Sequence, residues 1–286
     1  MRIPQLSGNI KRRLLINYRV EPEVIQKILP NNFRPKLHKG YAIAGVCLIR
    51  LENIKPDFVP EMFNFLNIAS ENTAHRIAVE WDTPEGVKEG VFIPRRDTDS
   101  RLNALAGGRI FPGVHHLSRF EVSDEDGSIQ ITVHEKLTSN SSSPLIDVMA
   151  EETDIFPTDS VFSSLDETSK FFENGCIGYS SRPDSDQLDG MLLEVPKWIV
   201  SALEVTSLQS SYFDNQEIFP KGSITFDHAL LMRDIQHQWI TQPTLYADRR
   251  SEQENSPLDL SGINHHHFCE FDDGFIAEPD FVERFK

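Results

Sequence analysis

Apolar and polar residues alternate along several short segments of this 286-residue chain, and this alternation limits its fold more than any other feature. In His75–Trp81 the side chains of Ile77, Val79 and Trp81 fall on one side, as in a strand with one buried face. The segment Tyr41–Leu51 is apolar almost throughout, which is typical of a strand buried on both faces. The pattern therefore predicts a chain built mainly of strands.

Further strands and three short helices follow from the same kind of pattern. The acidic segment Ser123–Gly127 separates two alternating stretches and predicts a hairpin. Pro22 begins a helix that Pro30 ends, and Ser164–Glu167 has the form of a capping box. The other expected elements are strands at Gly90–Arg96, Leu117–Val122, Ile129–Leu137, Ile177–Ser181, Trp198–Ser207 and Ser223–Met232, and a helix at Ser100–Ala106.

These elements place the chain in the β-rich α+β class, with an antiparallel sheet or barrel and a few short helices. No internal repeat or linker precedes Tyr246, so we expect a single domain over residues 1–248. Residues 249–286 begin with a polar stretch and are expected to form a C-terminal tail that packs on the domain or is partly flexible. The three cysteines are an odd number without a C-x-x-C pair, which predicts no disulfide framework.

The charge of the chain narrows its partners. The formal net charge is −16, which argues against nucleic acid because phosphate binding needs a basic face. It argues equally against an anionic membrane surface. No apolar run reaches the roughly 18 to 20 residues that cross a bilayer, and the N-terminal segment does not resemble a signal peptide. We therefore expect a cytoplasmic protein with no nucleic-acid or membrane partner, and leave open whether it is a homo-oligomer.

Gly90–Phe120 concentrates arginine in this otherwise acidic chain. Arginine binds carboxylate or phosphate with two parallel hydrogen bonds, which lysine cannot do. A pocket for a small anionic ligand or a set of internal ion pairs to Asp97 and Asp99 would explain the excess. We favour the pocket because glycines beside Arg109 would let a ligand approach the backbone. The five arginines are Arg95, Arg96, Arg101, Arg109 and Arg119.

Histidines offer a weaker alternative, metal-dependent hydrolysis. His115 and His116 are adjacent and would face opposite sides of a strand, so they cannot share one metal ion. The group His265–His267 lies in the tail without the paired spacing of a structural zinc site. The glycine-rich stretch A-G-G-R-I-F-P-G matches no nucleotide-binding motif. We therefore expect neither a metal nor another cofactor.

Glu71 lies just before an alternating strand. A carboxylate at the mouth of a strand can move a proton if burial raises its pKa, although an exposed turn glutamate would also explain the residue. In the segment F-D-H-A-L-L-M-R-D-I-Q-H, Asp227 and Asp234 could orient His228 and His237.

Several segments resemble the acetoacetate decarboxylase-like superfamily, and more closely its uncharacterised branch, domain-of-unknown-function family 2071. L-L-I-N-Y-R-V followed by a proline-terminated helix is similar to the superfamily's opening strand and helix. S-E-N-T-A-H-R-I-A-V-E-W, P-R-R-D-T-D-S-R-L-N-A-L-A-G-G-R-I-F-P-G-V-H-H and F-D-H-A-L-L-M-R-D-I resemble signatures of the branch. The resemblance covers about Leu14 to Asp248. It implies a β-barrel-like antiparallel sheet around an internal cavity.

The resemblance also implies positions for the chemistry. The superfamily's active-site glutamate falls on Glu71, and its early active-site arginine falls near Lys11 or Arg12. The decarboxylases carry a Schiff-base lysine directly after a Tyr-Pro pair and a second lysine after it. In this chain these positions are Gly113 and Val114, so a lysine would have to come from a distant part of the sequence, such as Lys136 or Lys197.

The leading hypothesis is a cytoplasmic protein whose decarboxylase-like cavity binds a small carboxylate or oxo-acid, with Glu71 as acid or base. The missing lysines argue against Schiff-base decarboxylation and leave lyase or hydrolase chemistry open. The alternative is a non-catalytic protein that binds a small ligand. The candidate ligand-binding residues are Arg95, Arg101, Arg109, His75, Arg76, His115 and His116.

Overall fold

The computed structural model describes residues 5–56, 69–105, 112–136, 143–183 and 185–247. Within them the chain forms thirteen strands and three helices. The strands are β1 (Gln5–Val20), β2 (Arg34–Pro35), β3 (Leu37–His38), β4 (Tyr41–Pro56), β5 (Ser70–Thr83), β6 (Gly86–Thr98), β7 (His115–Glu125), β8 (Ser128–Glu135), β9 (Ile146–Thr153), β10 (Ile177–Ser181), β11 (Gln187–Glu194), β12 (Ser201–Ser210) and β13 (Ile224–Tyr246). The helices are α1 (Pro22–Ile28), α2 (Arg101–Leu105) and α3 (Leu165–Asn174).

Nine strands close into a barrel. Their order is β1, β4, β5, β6, β7, β8, β9, β12 and β13, and β13 pairs again with β1. All neighbours in this ring are antiparallel except β6 and β7, which pair in parallel from Arg96 and His115 onward. The expected β-rich fold with a barrel-like sheet and few helices is therefore confirmed, with one parallel pair inside the barrel.

Two further strands close a second ring on the same sheet. β10 pairs in parallel with β6 at Val91 and Phe92, and β11 pairs with the second half of β13 at Gln187–Glu194. Because β10 and β11 also pair with each other, the strands β1, β4, β5, β6, β10, β11 and β13 form a ring of seven. Five strands therefore belong to both rings, and each presents one face to the nine-strand ring and the other face to the seven-strand ring. These shared strands are β1, β4, β5, β6 and β13.

Alternation along the shared strands gives each ring its own lining. Leu14, Ile16, Val46 and Leu48 are almost fully buried in the core of the nine-strand ring, to which every strand of that ring contributes. Their sequence neighbours, such as Leu15, turn to the other face. Burying each such side chain contributes roughly 1.5–3 kcal/mol, which pins the register of both faces.

Several element boundaries differ from the expectations. β1 begins at Gln5 and β13 continues to Tyr246, because each strand pairs along most of its length. Strand β12 begins at Ser201 instead of Trp198. The capping box before α3 is confirmed, since the Ser164 hydroxyl accepts a hydrogen bond from the Glu167 backbone at 3.2 Å.

The rest of the chain is outside this description. Residues 249–286, expected to form the tail, lie outside the described residues, so the boundary at 248 stays a prediction. Among the helices that are described, none is both long and apolar enough to cross a membrane.

Candidate functional site

A cavity of about 140 Å³ lies on the face of the shared strands that belongs to the seven-strand ring. Every strand of that ring contributes at least one side chain or glycine to its wall, and Phe172 of α3 covers it. Representative lining residues are Arg13 of β1, Cys47 of β4, Arg76 of β5, Arg96 of β6, Gly178 of β10, Met191 of β11 and Trp239 of β13.

Three arginines line this cavity: Arg13, Arg76 and Arg96. We call it the three-arginine cavity. None of the three forms an ion pair with a carboxylate in the part of the chain that the structure describes, and no Asp or Glu is among the residues of the wall. Buried charge without a compensating partner is costly, so the arrangement favours an anionic ligand.

Arg76 is the most buried of the three, at 5% exposure. Its Nη2 donates to the Oδ1 of Asn17, and its guanidinium lies 4.5 Å from the ring centre of Phe172. Its buried Nε has no hydrogen-bond partner among the described residues. Burial lowers the pKa of Arg76 to about 9, because no carboxylate of the described residues offsets the loss of solvation.

The guanidinium groups of Arg13 and Arg96, like that of Arg76, have uncharged hydrogen-bond acceptors. Arg13 donates to sulfur atoms, from Nε to Cys47 Sγ at 3.3 Å and from Nη1 to Met232 Sδ at 3.6 Å. Arg96 Nε donates to the Ser180 hydroxyl at 3.3 Å, and burial lowers its pKa to about 10. A carboxylate ligand could offer each guanidinium a far stronger, charge-assisted acceptor.

The cavity has an apolar side. Trp198 lies under the Arg13 guanidinium at 5.6 Å, and Trp239, Ile49 and Leu193 complete this part of the wall. The wall therefore combines cationic donors with aromatic and aliphatic surface. Such a site suits a small organic anion with an apolar body.

His115 belongs to the same cavity, whereas His116 does not. His115 lines the wall, and burial together with the Arg96 charge lowers its pKa to about 3. The ring is therefore neutral at physiological pH. His116 is exposed on the other side of β7, as alternation along a strand requires.

Gly113 lies at the edge of the three-arginine cavity. Its φ is +80°, and a Cβ atom there would lie 2.7 Å from the Ser180 Cβ and 3.8 Å from Arg96 Nε. The position that the resemblance assigns to the Schiff-base lysine is therefore beside the cavity but cannot accept a side chain without a shift of Ser180. Val114 is exposed. No lysine is among the described residues that line the cavity.

Glu71 faces the nine-strand ring instead of the cavity. Its Oε2 lies 2.8 Å from Arg12 Nη2, and its Oε1 lies 3.8 Å from Arg50 Nη1. Burial raises its pKa, and the charge of Arg12 offsets only part of this effect. The residues that line the cavity on β1 and β5 include Arg13 and Asn72, which directly follow Arg12 and Glu71 in the sequence.

Arg95 and His75 also lie on the face opposite the cavity. Arg95 Nη2 is 2.8 Å from Asp97 Oδ1, and the same carboxylate accepts hydrogen bonds from Thr73 and Ser118. His75 packs against Tyr212 with ring centres 4.8 Å apart, and burial lowers its pKa to about 4. Arg95, Asp97, Thr73 and Ser118 therefore form an internal network on this face. The part that Arg95 and His75 were expected to take in ligand binding stays a prediction.

The remaining candidates are spread elsewhere. Arg101 is exposed on α2, although Asn103 of the same helix lines the cavity. Arg109 and His265–His267 lie outside the described residues. Within the described ranges there is no group of three or more His, Cys, Asp or Glu side chains that could hold a metal ion.

Of the residues predicted from sequence to bind the ligand, Arg76 and His115 line the cavity, and several other lining residues were not predicted. Arg13 and Arg96 were visible as the second members of the pairs Arg12-Arg13 and Arg95-Arg96, of which only one can face each ring. Cys47 is buried in an apolar stretch of β4, and its Sγ also accepts the Arg13 hydrogen bond at the cavity wall. Trp198 and Trp239 gave no signal, because they reach the cavity from distant parts of the sequence.

Known structures share this fold. The acetoacetate decarboxylase from Legionella pneumophila subsp. pneumophila str. Philadelphia 1 superposes with a TM-score of 0.51 at 13% identity, over 84% of this chain and 87% of that chain. An acetoacetate decarboxylase-like enzyme from Sphingomonas wittichii RW1 gives 0.52 at 11% identity, over 86% and 93%. The enduracididine biosynthesis enzyme MppR, complexed with pyruvate, gives 0.50 at 10% identity, over 86% and 91%. At these identities the likeness shows the fold alone.

Sequence comparison shows the family. None of the curated protein sequences matches the chain. Residues 9–232 match domain-of-unknown-function family 2071, described as an uncharacterized conserved protein. The match covers well over half of the chain and includes most of β1, all of β5 and β6, and the first part of β13 up to Met232. It therefore contains Arg13, Arg76 and Arg96 of the three-arginine cavity. The chain therefore belongs to family 2071, on an acetoacetate decarboxylase-like fold.

Proposed function

We propose that this protein binds a small organic acid, of the carboxylate or oxo-acid class, in the three-arginine cavity. The observation that carries the proposal is the presence of three arginines in one cavity without a carboxylate partner among the described residues. The ligand's carboxylate would supply the missing charge, and the aromatic wall would hold its carbon body. The cytoplasmic location expected from the sequence is part of this proposal.

The size of the cavity limits the ligand. A cavity of about 150 Å³ in another protein accommodates benzene, so about 140 Å³ suits a compound of similar size. Pyruvate fits this limit, and the related fold of MppR is known in complex with pyruvate. Short-chain oxo-acids are therefore the first compounds to test.

The chemistry after binding is less constrained. Gly113 supplies no amine, so imine formation at this position has no nucleophile. Glu71 is paired with Arg12 on the other face of β5, which leaves neutral His115 and the thiols of Cys47 and Cys176 as the reactive groups of the described wall. Since no carboxylate faces the cavity in the described wall, we favour binding without turnover. Lyase or hydrolase chemistry on the bound acid is the second candidate function.

Isothermal titration calorimetry with matched ligands tests the proposal. Pyruvate is compared with methyl pyruvate, which keeps the shape and loses the charge. We expect pyruvate to bind at least about tenfold more tightly, because each charge-assisted hydrogen bond contributes roughly 1.5–3 kcal/mol. Equal affinities, or no binding by any short-chain oxo-acid, would contradict the proposal. Following consumption of the compounds that bind then separates an enzyme from a binding protein.

A further inference from the structure

Three sequence signatures meet directly behind Arg76. N-Y-R supplies Asn17 on β1, S-E-N-T-A-H-R supplies Arg76 itself on β5, and F-D-H-A supplies Asp227 and His228 on β13. β1 lies between the other two strands of the trio in the sheet order, with β4 separating it from β5. The proposed function uses only Arg76 of these residues, so the other three need a separate explanation.

Hydrogen bonds connect these residues in one line. Arg76 Nη2 donates to Asn17 Oδ1, and Asn17 Nδ2 lies 3.0 Å from His228 Nε2. His228 Nδ1 lies 2.6 Å from Asp227 Oδ2. Because the Asp227 carboxylate can only accept, the proton of a neutral His228 sits on Nδ1, and Nε2 accepts from Asn17. The three hydrogen bonds of the line therefore run in one direction. Arg76 donates to Asn17, Asn17 donates to His228, and His228 donates to Asp227.

The far end of the line is fixed. Asp227 is 3% exposed and accepts further hydrogen bonds from the Ser160 hydroxyl at 2.6 Å and the Val161 backbone at 3.0 Å. Arg19 Nη1 lies 3.0 Å from its Oδ1. The carboxylate charge is thus held in one place, and its orientation fixes the His228 ring.

A second donor reaches the same nitrogen from outside the line. Thr168 Oγ1 of α3 lies 2.8 Å from His228 Nε2. The Asp227–His228–Thr168 geometry is that of a nucleophilic triad, but Thr168 and His228 are both completely buried. A hydroxyl without access to substrate cannot act as a nucleophile, which leaves positioning as the role of these groups.

The hydrogen bonds of the line orient Arg76 while its charge stays available to a ligand. A carboxylate next to Arg76 would orient its guanidinium but would also neutralise it. The Asn17 amide oxygen is a neutral acceptor, so it orients the guanidinium and leaves the charge for a ligand. The amide could turn and present its nitrogen to Arg76. His228 Nε2 and the Leu15 carbonyl, at 3.0 and 3.1 Å, oppose this because both accept from that nitrogen.

We propose that Asn17, His228 and Asp227 form a positioning relay that fixes the guanidinium of Arg76 for the bound anion without neutralising it. The inference rests on the proposed function, since it assigns these residues to the same anion site. None of the three is a catalytic residue, because each acts through Arg76.

Pyruvate affinity of three matched variants tests the relay. Asn17→Leu removes the acceptor, Asn17→Asp keeps it but adds a negative charge, and Thr168→Val removes the hydrogen bond to His228 that lies outside the line. We expect pyruvate affinity to fall about tenfold in both Asn17 variants and to stay within about twofold of wild type in Thr168→Val. Thermal unfolding of each variant separates this effect from a loss of stability.

Two results would overturn the relay. One is an Asn17→Leu protein that is folded and binds pyruvate as tightly as wild type. The other is an equal loss of affinity in Thr168→Val, which would mean that any damage near His228 has the same effect. If Asn17→Leu does not fold, Asn17→Asp decides, because its shape is unchanged.

A ligand-free measurement keeps the relay separate from the proposed function. Nitrogen-15 NMR reports how fast the Arg76 guanidinium rotates. We expect slow rotation in wild type and in Thr168→Val, and faster rotation in Asn17→Leu. If wild type binds no oxo-acid but shows this pattern, the proposed function fails and the relay stands. Fast rotation in wild type would refute the relay even if pyruvate binds.

Discussion

The two faces of the shared strands treat their arginines in opposite ways. On the face of the nine-strand ring, Arg12 is paired with Glu71 at 2.8 Å and Arg95 with Asp97 at 2.8 Å. On the face of the three-arginine cavity, the next residues, Arg13 and Arg96, contact sulfur and hydroxyl groups. The same two dipeptides thus supply one compensated and one uncompensated charge each.

This difference separates structural arginines from candidate binding residues. An arginine that is already paired with a buried carboxylate is neutralised within the protein, so it gains less from a ligand anion. A buried arginine without a carboxylate partner is costly in the empty protein and becomes favourable when an anion binds. Under the proposed function, charge compensation and not the mere presence of arginine distinguishes the face of the sheet that we expect to bind a ligand.

The largest effect is expected from breaking a compensated pair. Glu71→Leu would leave Arg12 with the more distant Asp124, at 3.4 Å, as its ion-pair partner among the described residues. Removing one partner of a buried pair costs about 3–5 kcal/mol, so we expect a loss near the lower end of this range in urea unfolding. Glu80→Leu on the same strand is the control, because its partner Arg34 is 42% exposed and keeps Asp82 at 2.9 Å, so the loss should stay below about 1 kcal/mol. Unchanged stability of Glu71→Leu would mean that the two faces do not differ as argued.

Acid should destabilise the nine-strand face through His75. Its folded pKa is about 4 and its ordinary value is 6.5, so the unfolded chain takes up the proton first as pH falls. Stability is thus complete above pH 6.5 and is lost progressively down to pH 4, by up to about 3 kcal/mol at 1.36 kcal/mol per pH unit. His75→Phe keeps the ring packing on Tyr212 and should remove this part of the acid sensitivity. Parallel stability curves for wild type and His75→Phe between pH 4 and 7 would refute this origin.

Substitution of an arginine in the three-arginine cavity should affect stability in the opposite way to substitution of Glu71. Arg76→Met removes an uncompensated charge, so stability should be unchanged or higher, while pyruvate affinity should fall about 10- to 100-fold. Calorimetry and thermal unfolding of the same sample measure both quantities. A variant that loses stability and keeps its affinity would place Arg76 among the structural arginines.

Much of the fold was predictable from sequence, because alternation and turns are local. The strand at His75–Trp81, the hairpin around Ser123–Gly127 and the capped helix α3 all follow from residues close together in the chain. The second ring was not predictable, since it depends on β10 pairing in parallel with β6 and on β13 continuing far enough to meet β11.

The candidate site was predictable only in part, for a related reason. The excess of arginine in Gly90–Phe120 indicated an anion site, and Arg76 and His115 are in the cavity. The choice between neighbours such as Arg95 and Arg96 depends on which face each side chain takes. A shift of one residue in a strand reverses that choice, and sequence alone does not fix the register to one residue.

The smallest effect is expected at Arg101, which the sequence grouped with the other candidate ligand-binding arginines. Its side chain is exposed on α2, so it pays no desolvation cost and offers a ligand only a screened charge. Arg101→Met should change stability by no more than about 0.5 kcal/mol and pyruvate affinity by less than about twofold. Arg76→Met, measured beside it, shows the size of a true cavity effect. A loss of affinity in Arg101→Met as large as in Arg76→Met would extend the binding site to α2, and exposure in the empty protein would then be a poor guide to which arginines meet the ligand.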